Sequence, residues 1–69
     1  MARMLVKLNG ALRELPDGES VAALLERLGV RAPRVAVTVN DAVVERARYR
    51  EWRLGPGDAV EIVAVMGGA

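Results

Sequence analysis

The C-terminal residues Gly67, Gly68 and Ala69 follow an apolar segment at residues 60–65, and they carry no charge and almost no side chain. Glycine loses more conformational entropy on folding than any other residue, so this pair adds nothing to stability. It does give access, because a backbone without Cβ atoms can enter a channel too narrow for other residues. The reactive group of this segment would be the terminal carboxylate, at the end of a tail with almost no side chains. Fraying of a chain end explains the same composition equally well, so the interpretation depends on the preceding residues.

The sequence lacks the residue types on which most active sites depend. It has no Cys and no His, which excludes disulfides, thiol nucleophiles, Cys/His zinc sites and an imidazole general base. No pair among its 9 carboxylates has a spacing that indicates a metal site or an acid–base dyad. We therefore expect no catalytic residue, no metal site and no bound cofactor. Any reaction of this protein is expected to be catalysed by another protein.

Length and charge limit the other classes of function. The 69 residues are 52% apolar, enough for the core of one small domain. With 10 basic and 9 acidic residues the net charge is +1, so no overall charge favours nucleic acid or an anionic membrane. No apolar run approaches the roughly 18 residues needed to span a bilayer. Residues 1–4 lack the apolar segment of a signal peptide, and we expect a cytoplasmic protein.

The first elements to be positioned are two strands. Residues 4–8 and 11–15 are strand-like, and Asn9-Gly10 between them is a strong hairpin signal, since both residues tolerate the positive φ of a type I′ turn. Pro16-Asp17-Gly18 then ends the second strand.

A short amphipathic helix is predicted next. Ser20 is a suitable N-cap, and the apolar stripe behind it has helical spacing: Val21, Leu24, Leu25 and Leu28. Gly29 at C′ and the later Pro33 end the helix. With about nine residues it is too short to be stable alone, so it must pack on a sheet.

The second half predicts three further strands. Residues 35–40 alternate cleanly, Val43-Val44 is a short edge piece after a bend at Asn40-Asp41, and residues 60–65 follow a turn at 54–58. An α+β fold follows, in which one helix packs across one face of a mixed four- to five-stranded sheet. The leading candidate is the ubiquitin-like β-grasp fold. We expect a single domain at residues 1–65, a last strand beside the first, and a flexible Gly-Gly tail at 66–69.

Two stretches have open interpretations. Four arginines interleave with Tyr49 and Trp52 at residues 46–53, which is typical of a nucleic-acid surface. Because the chain is nearly neutral, we favour a solvated loop whose aromatic residue closes the core. A docking patch for an acidic protein partner is an intermediate interpretation. In the last strand, Val63 and Val65 lie on the face opposite to Val60. They form either a surface for a partner or the second buried face of a central strand.

An ordered set of segments resembles the ThiS-type sulfur carrier proteins of thiamin biosynthesis, in the wider group that includes the molybdopterin synthase small subunit. The segments cover nearly the whole chain: Leu8-Asn9-Gly10, Leu15-Pro16-Asp17-Gly18, Val21-Ala22-Ala23-Leu24-Leu25, Leu28-Gly29, residues 35–40, 49–54 and 57–63, and Gly67-Gly68. The short length and the Val39-Asn40 segment favour the thiamin type.

The resemblance implies a non-enzymatic carrier, a protein co-substrate of other enzymes. A ThiF-type adenylyltransferase uses MgATP to adenylate the terminal glycine carboxylate, and a sulfur donor such as a cysteine desulfurase displaces AMP to leave a thiocarboxylate. Thiazole synthase then takes the sulfur. The tail that enters the partner's channel is Val65, Met66, Gly67 and Gly68. Val63 is expected to dock on the partner, with Arg50 and Arg53 at the rim.

The last residue departs from the family pattern, since family members end on glycine and this chain ends on Ala69. We assign the modified carbonyl to Gly68 after removal of Ala69, or to Ala69 itself if it is not trimmed. The alternatives keep the fold but change the role: a molybdopterin synthase small subunit, a ubiquitin-like modifier or tRNA-thiolation carrier, or an RNA-binding module that uses residues 46–53.

Overall fold

A computed structural model describes residues 2–31 and 34–65 of the chain. It contains five strands and one α-helix. In chain order these are β1 (Arg3–Leu8), β2 (Ala11–Pro16), α1 (Val21–Leu28), β3 (Val35–Val39), β4 (Ala42–Val44) and β5 (Ala59–Ala64), with a 3-10 turn, Arg46–Arg48, before β5. The predicted elements are therefore present, with small shifts in their limits: α1 has 8 residues, and β5 begins at Ala59 and ends at Ala64.

The five strands form one mixed sheet in the order β2-β1-β5-β3-β4. β1 and β5 run parallel, whereas the β1–β2, β3–β4 and β3–β5 pairs are antiparallel. The last strand thus lies beside the first, in the centre of the sheet. This is the predicted β-grasp arrangement of one helix on a mixed sheet.

Two tight turns join the antiparallel pairs β1–β2 and β3–β4, and both use residues with positive φ. Asn9 (51°) and Gly10 (85°) connect β1 to β2, which confirms the type I′ turn. Asn40 (51°) and Asp41 (70°) connect β3 to β4 in the same way. The sequence predicted only a bend at Asn40-Asp41, whereas the structure has a tight turn with two left-handed residues there. Asn and Asp can form it because they are the non-glycine residues that most readily adopt left-handed backbone.

The helix begins and ends at the predicted residues. The Ser20 hydroxyl accepts a hydrogen bond from the Ala23 N–H at 3.1 Å, as an N-cap does. Gly29 has a φ of 72°, and its N–H bonds to the Glu26 carbonyl at 3.1 Å. The helix therefore has a defined start and stop despite its short length.

The core lies between α1 and one face of the sheet. Its buried residues come from every strand, from the helix and from the connection before β5: Met4, Val6, Leu8, Leu15, Val21, Leu24, Leu25, Val37, Val39, Val44, Tyr49, Leu54 and Val60. Within residues 2–31 and 34–65 no helix covers the other face, where several large apolar side chains are exposed: Leu5, Leu12, Val43 and Val63. The molecule therefore has one buried and one open sheet face. No helix within the described ranges is both long and apolar enough to cross a membrane.

Candidate functional site

The site predicted from the sequence is the end of β5 and the tail that follows. β5 stays in register with β3 up to the Val35–Ala64 pair, and the Val65 N–H then donates to the Arg34 carbonyl at 2.8 Å. Val65 therefore lies just outside the strand but is still tied to β3. The tail residues Met66, Gly67, Gly68 and Ala69 lie outside the described residues, so their roles stay predictions.

On its other side, the end of β5 is held by one side chain. β1 pairs with β5 only through Lys7–Ala59 and Leu8–Val60, and then turns away at Asn9. The Asn9 amide takes the place of a further strand residue. Its Oδ1 accepts from the Ile62 N–H at 2.9 Å, and its Nδ2 donates to the Ile62 carbonyl at 3.3 Å. This pair of bonds fixes the direction in which β5 leaves the sheet.

A second asparagine holds the beginning of β5. Asn40 Oδ1 accepts from the Ala59 N–H at 2.9 Å, and Asn40 Nδ2 donates to Asp58 Oδ1 at 3.0 Å. The other carboxylate oxygen of Asp58 accepts from the Gly55 N–H at 2.7 Å, which closes the turn before the strand. β5 is thus anchored at both ends by asparagines from hairpin turns. The sequence reasoning missed both roles of the asparagines. The available signal was an Asn followed by Gly or Asp, because such a pair favours a turn with positive φ.

The open sheet face decides between the two interpretations of β5. Val63 is 58% exposed and Val65 is 49% exposed, although β5 is a central strand. Val63 lies opposite Ala36, and the apolar side chains on this face alternate with polar ones such as Thr38 and Glu61. The second face of β5 is therefore a surface available to a partner and is not a second core.

The two arginines predicted at the rim lie away from Val63. Arg53 donates to the Gly18 carbonyl at 3.2 Å and forms an isolated bridge with Ser20, which places it at the start of the helix. The start of β1 lies at this end too, because the Asp17 N–H donates to the Ala2 carbonyl at 3.2 Å. β5 leaves the sheet beyond the other end of β1, and a strand of this length spans about 20 Å.

Arg50 is on the helix side of the molecule. It lines a groove beside α1 together with Arg46, Glu26 and Val30, whereas Val63 projects from the opposite sheet face. The structure therefore does not bring Val63, Arg50 and Arg53 together into one surface. Their shared role in docking stays a prediction.

The aromatic residues of residues 46–53 face inward. Tyr49 is 5% exposed, and Trp52 packs against the core. Backbone bonds fasten this stretch to the helix start: the Tyr49 carbonyl accepts from Ala22 and the Trp52 carbonyl accepts from Val21, at 3.0 and 2.9 Å. The structure agrees with a solvated loop whose aromatic residues close the core. Because Tyr49 and Trp52 are packed inward, they form no exposed aromatic platform for stacking bases.

One buried carboxylate has a structural explanation. Glu19 is 8% exposed, and its two carboxylate oxygens accept from Arg27 Nη2 at 2.8 Å and Nε at 3.3 Å. The hydrogen bond to Glu19 and its charge raise the pKa of Arg27. The pair ties the loop before α1 to the last turn of the helix. Among the described residues, no cluster of three or more acidic side chains could hold a metal ion.

Comparison with known proteins agrees with this architecture. The sequence profile of the ThiS family matches residues 6–68, nearly the whole chain. This chain belongs to the ThiS family. The sulfur carrier protein ThiS of Thermus thermophilus is 38% identical over 64 residues, which are 93% of this chain and 98% of that protein. A crystal structure of the thiamine biosynthesis protein ThiS from Geobacter metallireducens superposes with a TM-score of 0.83 at 33% identity, over 96% of this chain and 100% of that one.

Two longer proteins match as well. The thiazole synthases of Paramagnetospirillum magneticum and Magnetococcus marinus are 38% and 37% identical over 65 residues, which are 94% of this chain. The chain spans only 20% of the length of each. In these two proteins a ThiS-like segment is part of a polypeptide named for thiazole synthesis.

Proposed function

We propose that this protein is the sulfur carrier of thiazole formation in thiamin biosynthesis, and that it acts through its C-terminal carbonyl. The observation that carries the proposal is the end-to-end match to the sulfur carrier of T. thermophilus. Two structural features support it. The tail follows a strand whose direction is fixed by Asn9 and Arg34. Val63 near the end of that strand and Val65 directly after it are exposed on the open face.

The proposed chemistry needs no reactive side chain on the carrier. A carboxylate is a poor electrophile, so the adenylating enzyme first joins the Gly68 carboxylate to AMP from ATP and releases pyrophosphate. A sulfur nucleophile then attacks the acyl carbon, and the C–O bond to AMP breaks. Sulfide gives the thiocarboxylate directly, whereas a persulfide donor gives an acyl disulfide that a second thiol must reduce to the thiocarboxylate. The sulfur is carried on a carbonyl carbon, which is consistent with a chain that has no Cys and no His.

The proposed partners are those that this sequence of steps requires. They are a ThiF-type adenylating enzyme with its MgATP, a sulfur donor such as a cysteine desulfurase, and thiazole synthase as acceptor. The third is supported by the two thiazole synthases that contain a ThiS-like segment. We place the docking surface on the open face around Val63 and Val65. Arg50 and Arg53 stay candidates for the rim, where charges chiefly affect the association rate.

The intact mass of the protein tests the function directly. The protein is incubated with a ThiF-type enzyme, MgATP and a sulfide source, and its mass is compared before and after. We expect one oxygen to be exchanged for sulfur, after loss of one alanine if Gly68 is the modified residue and without that loss if Ala69 carries the sulfur. If neither change appears, a chain ending at Gly68 is tested, because it can be charged without a protease that removes Ala69. If the mass of the chain that ends at Gly68 also stays unchanged, the proposal is contradicted.

Matched variants separate tail chemistry from folding and docking. Deletion of residues 67–69 should leave the unfolding temperature unchanged and abolish charging, and a deletion variant that still accepts sulfur refutes the role of the tail. Val63→Asp should keep the fold, since the side chain is 58% exposed, and weaken binding to the adenylating enzyme. Charge reversal at Arg50 and Arg53 should slow association with the adenylating enzyme if these residues lie at the rim of the interface. An unchanged association rate shows that they do not lie there.

A further inference from the structure

The end of β5 exposes a main-chain edge inside the sheet. Backbone groups of alternate residues in a strand point to the same side. The Val60 carbonyl accepts from the Asn9 N–H at 2.9 Å, and the Ile62 N–H and carbonyl bond to the Asn9 side chain. Residues 60 and 62 therefore point toward β1, and Ala64 points the same way.

Among the described residues, no strand lies on that side of Ala64. β1 ends at Leu8, and both polar atoms of the Asn9 side chain are bonded to Ile62. The Val65 N–H points to the opposite side, where it donates to the Arg34 carbonyl. Within residues 2–31 and 34–65, no hydrogen bond is made by the Ala64 N–H or carbonyl toward the β1 side. Exposed N–H and C=O groups at a strand edge are a template for pairing with another chain.

A groove lies beside this edge on the helix side of the sheet. Apart from Asn9 and Arg13, its lining is apolar: Leu8, Leu28, Val30, Val35, Ile62 and Ala64. A strand added along β5 beyond Asn9 would direct every second side chain into this groove, because successive side chains of a strand point to opposite faces. The groove suits a side chain with an apolar body, and Asn9 and Arg13 contribute polar groups to its wall.

The length of the tail indicates which protein comes close to the exposed backbone at the end of β5. Gly68 follows Val65 by three residues, and three extended residues span at most about 11 Å. An active site that works on the Gly68 carbonyl must therefore approach to within this distance of Val65. Its walls then lie against residues 62–65, where main-chain pairing can hold the tail extended.

We propose that the adenylating enzyme adds an extended segment to β5 as a strand that begins at Ala64, with an apolar side chain in the groove of Leu28, Val30 and Ile62. This inference rests on the proposed function and adds how the tail is gripped. In this arrangement Asn9 ends the internal pairing of β5 and leaves the next backbone groups to the enzyme. Main-chain bonds give affinity in strand addition, and the alternate pockets give selectivity.

Proline at position 64 tests the pairing. Ala64→Pro removes the N–H without touching the β3 ladder, and proline is tolerated where the N–H of an edge faces solvent. Ala64→Thr is the matched control, because it changes the side chain and keeps the N–H. We expect both variants to unfold within about 5 °C of the wild type. The affinity of Ala64→Pro for the enzyme should fall about tenfold, and that of Ala64→Thr by less than about threefold.

Hydrogen exchange of the wild-type protein makes the test independent of the proline variant. The Ala64 amide should exchange freely in the isolated carrier and become protected in the complex with the enzyme and MgATP. Sulfur charging by intact mass is measured in the same mixture. Charging without protection of Ala64, or equal enzyme affinity of the two variants, overturns this inference alone. Absence of charging in the wild type overturns the proposed function and this inference with it.

Discussion

Replacement of Asn9 by alanine should be among the most damaging surface substitutions in this protein. The side chain is exposed, yet it makes two hydrogen bonds to Ile62 across 53 residues of sequence. An intramolecular hydrogen bond contributes about 0.5–1.5 kcal/mol net, so the two together contribute about 1–2 kcal/mol at an exposed site. Asn9 also has a φ of 51°, which costs alanine about 1 kcal/mol more than asparagine.

The sum is a loss of about 2–3 kcal/mol in the free energy of unfolding. In a domain of this size, each kcal/mol lowers the unfolding temperature by about 4–8 °C, so Asn9→Ala should unfold at least about 8 °C below the wild type. The loss should be measured by urea and thermal unfolding. Exchange of the Ile62 amide should be followed in parallel, because its hydrogen bond to Asn9 Oδ1 is lost in this variant.

Asp41 supplies a matched control. It lies in the other type I′ turn with a φ of 70°, and within the described residues its side chain accepts no hydrogen bond. Asp41→Ala therefore reports the cost of left-handed backbone alone, about 1 kcal/mol. The difference between the two variants isolates the Asn9–Ile62 bonds. Equal destabilisation of both, or unchanged exchange of the Ile62 amide in Asn9→Ala, refutes the role of Asn9 as a clamp on β5.

Further substitutions test the helix and the two faces of the sheet by urea unfolding. Ser20→Ala removes the N-cap bond to the Ala23 N–H and should cost about 1 kcal/mol, whereas an unchanged midpoint shows that the cap contributes nothing. Leu24→Ala, at a side chain 0% exposed, should cost about 3 kcal/mol. Leu12→Ala, at a side chain 70% exposed on the open face, should stay within about 0.5 kcal/mol of the wild type, and a larger loss indicates that this face is covered.

Local sequence patterns predicted nearly all the secondary structure. Alternation of apolar residues placed the strands, helical spacing behind Ser20 placed α1, and Asn9-Gly10 placed the first hairpin turn. Each of these signals acts over a few residues, where backbone preference and the face of an element are decided. The order of these elements indicated the β-grasp fold with its last strand beside the first. Resemblance to a known family, carried by short ordered segments, then indicated a role for the tail.

The arrangement of the residues predicted to dock on a partner could be read only from the tertiary structure. Arg50 and Arg53 are near Val63 in sequence, but the backbone bonds of Tyr49 and Trp52 to the helix start carry both arginines away from it. Sequence distance says little about separation in space once a loop crosses from the sheet to the helix. The periodicity of β5 likewise allowed a second core, and only the absence of any covering element over Val63 in the described structure made that face a surface.

The sequence by itself determined that this chain has no thiol or imidazole chemistry of its own, that it forms one small α+β domain, and that a thin glycine tail follows an apolar strand. Composition and short-range patterns suffice for these conclusions because they depend on residue type and local spacing. Only the tertiary structure decided how the end of β5 is held. Asn9 reaches Ile62 across the sheet, and the pairing of β1 with β5 stops short of Ala64, so within the described residues the backbone groups of Ala64 have no bond on the β1 side. Such long-range pairing is set by the packing of the whole domain.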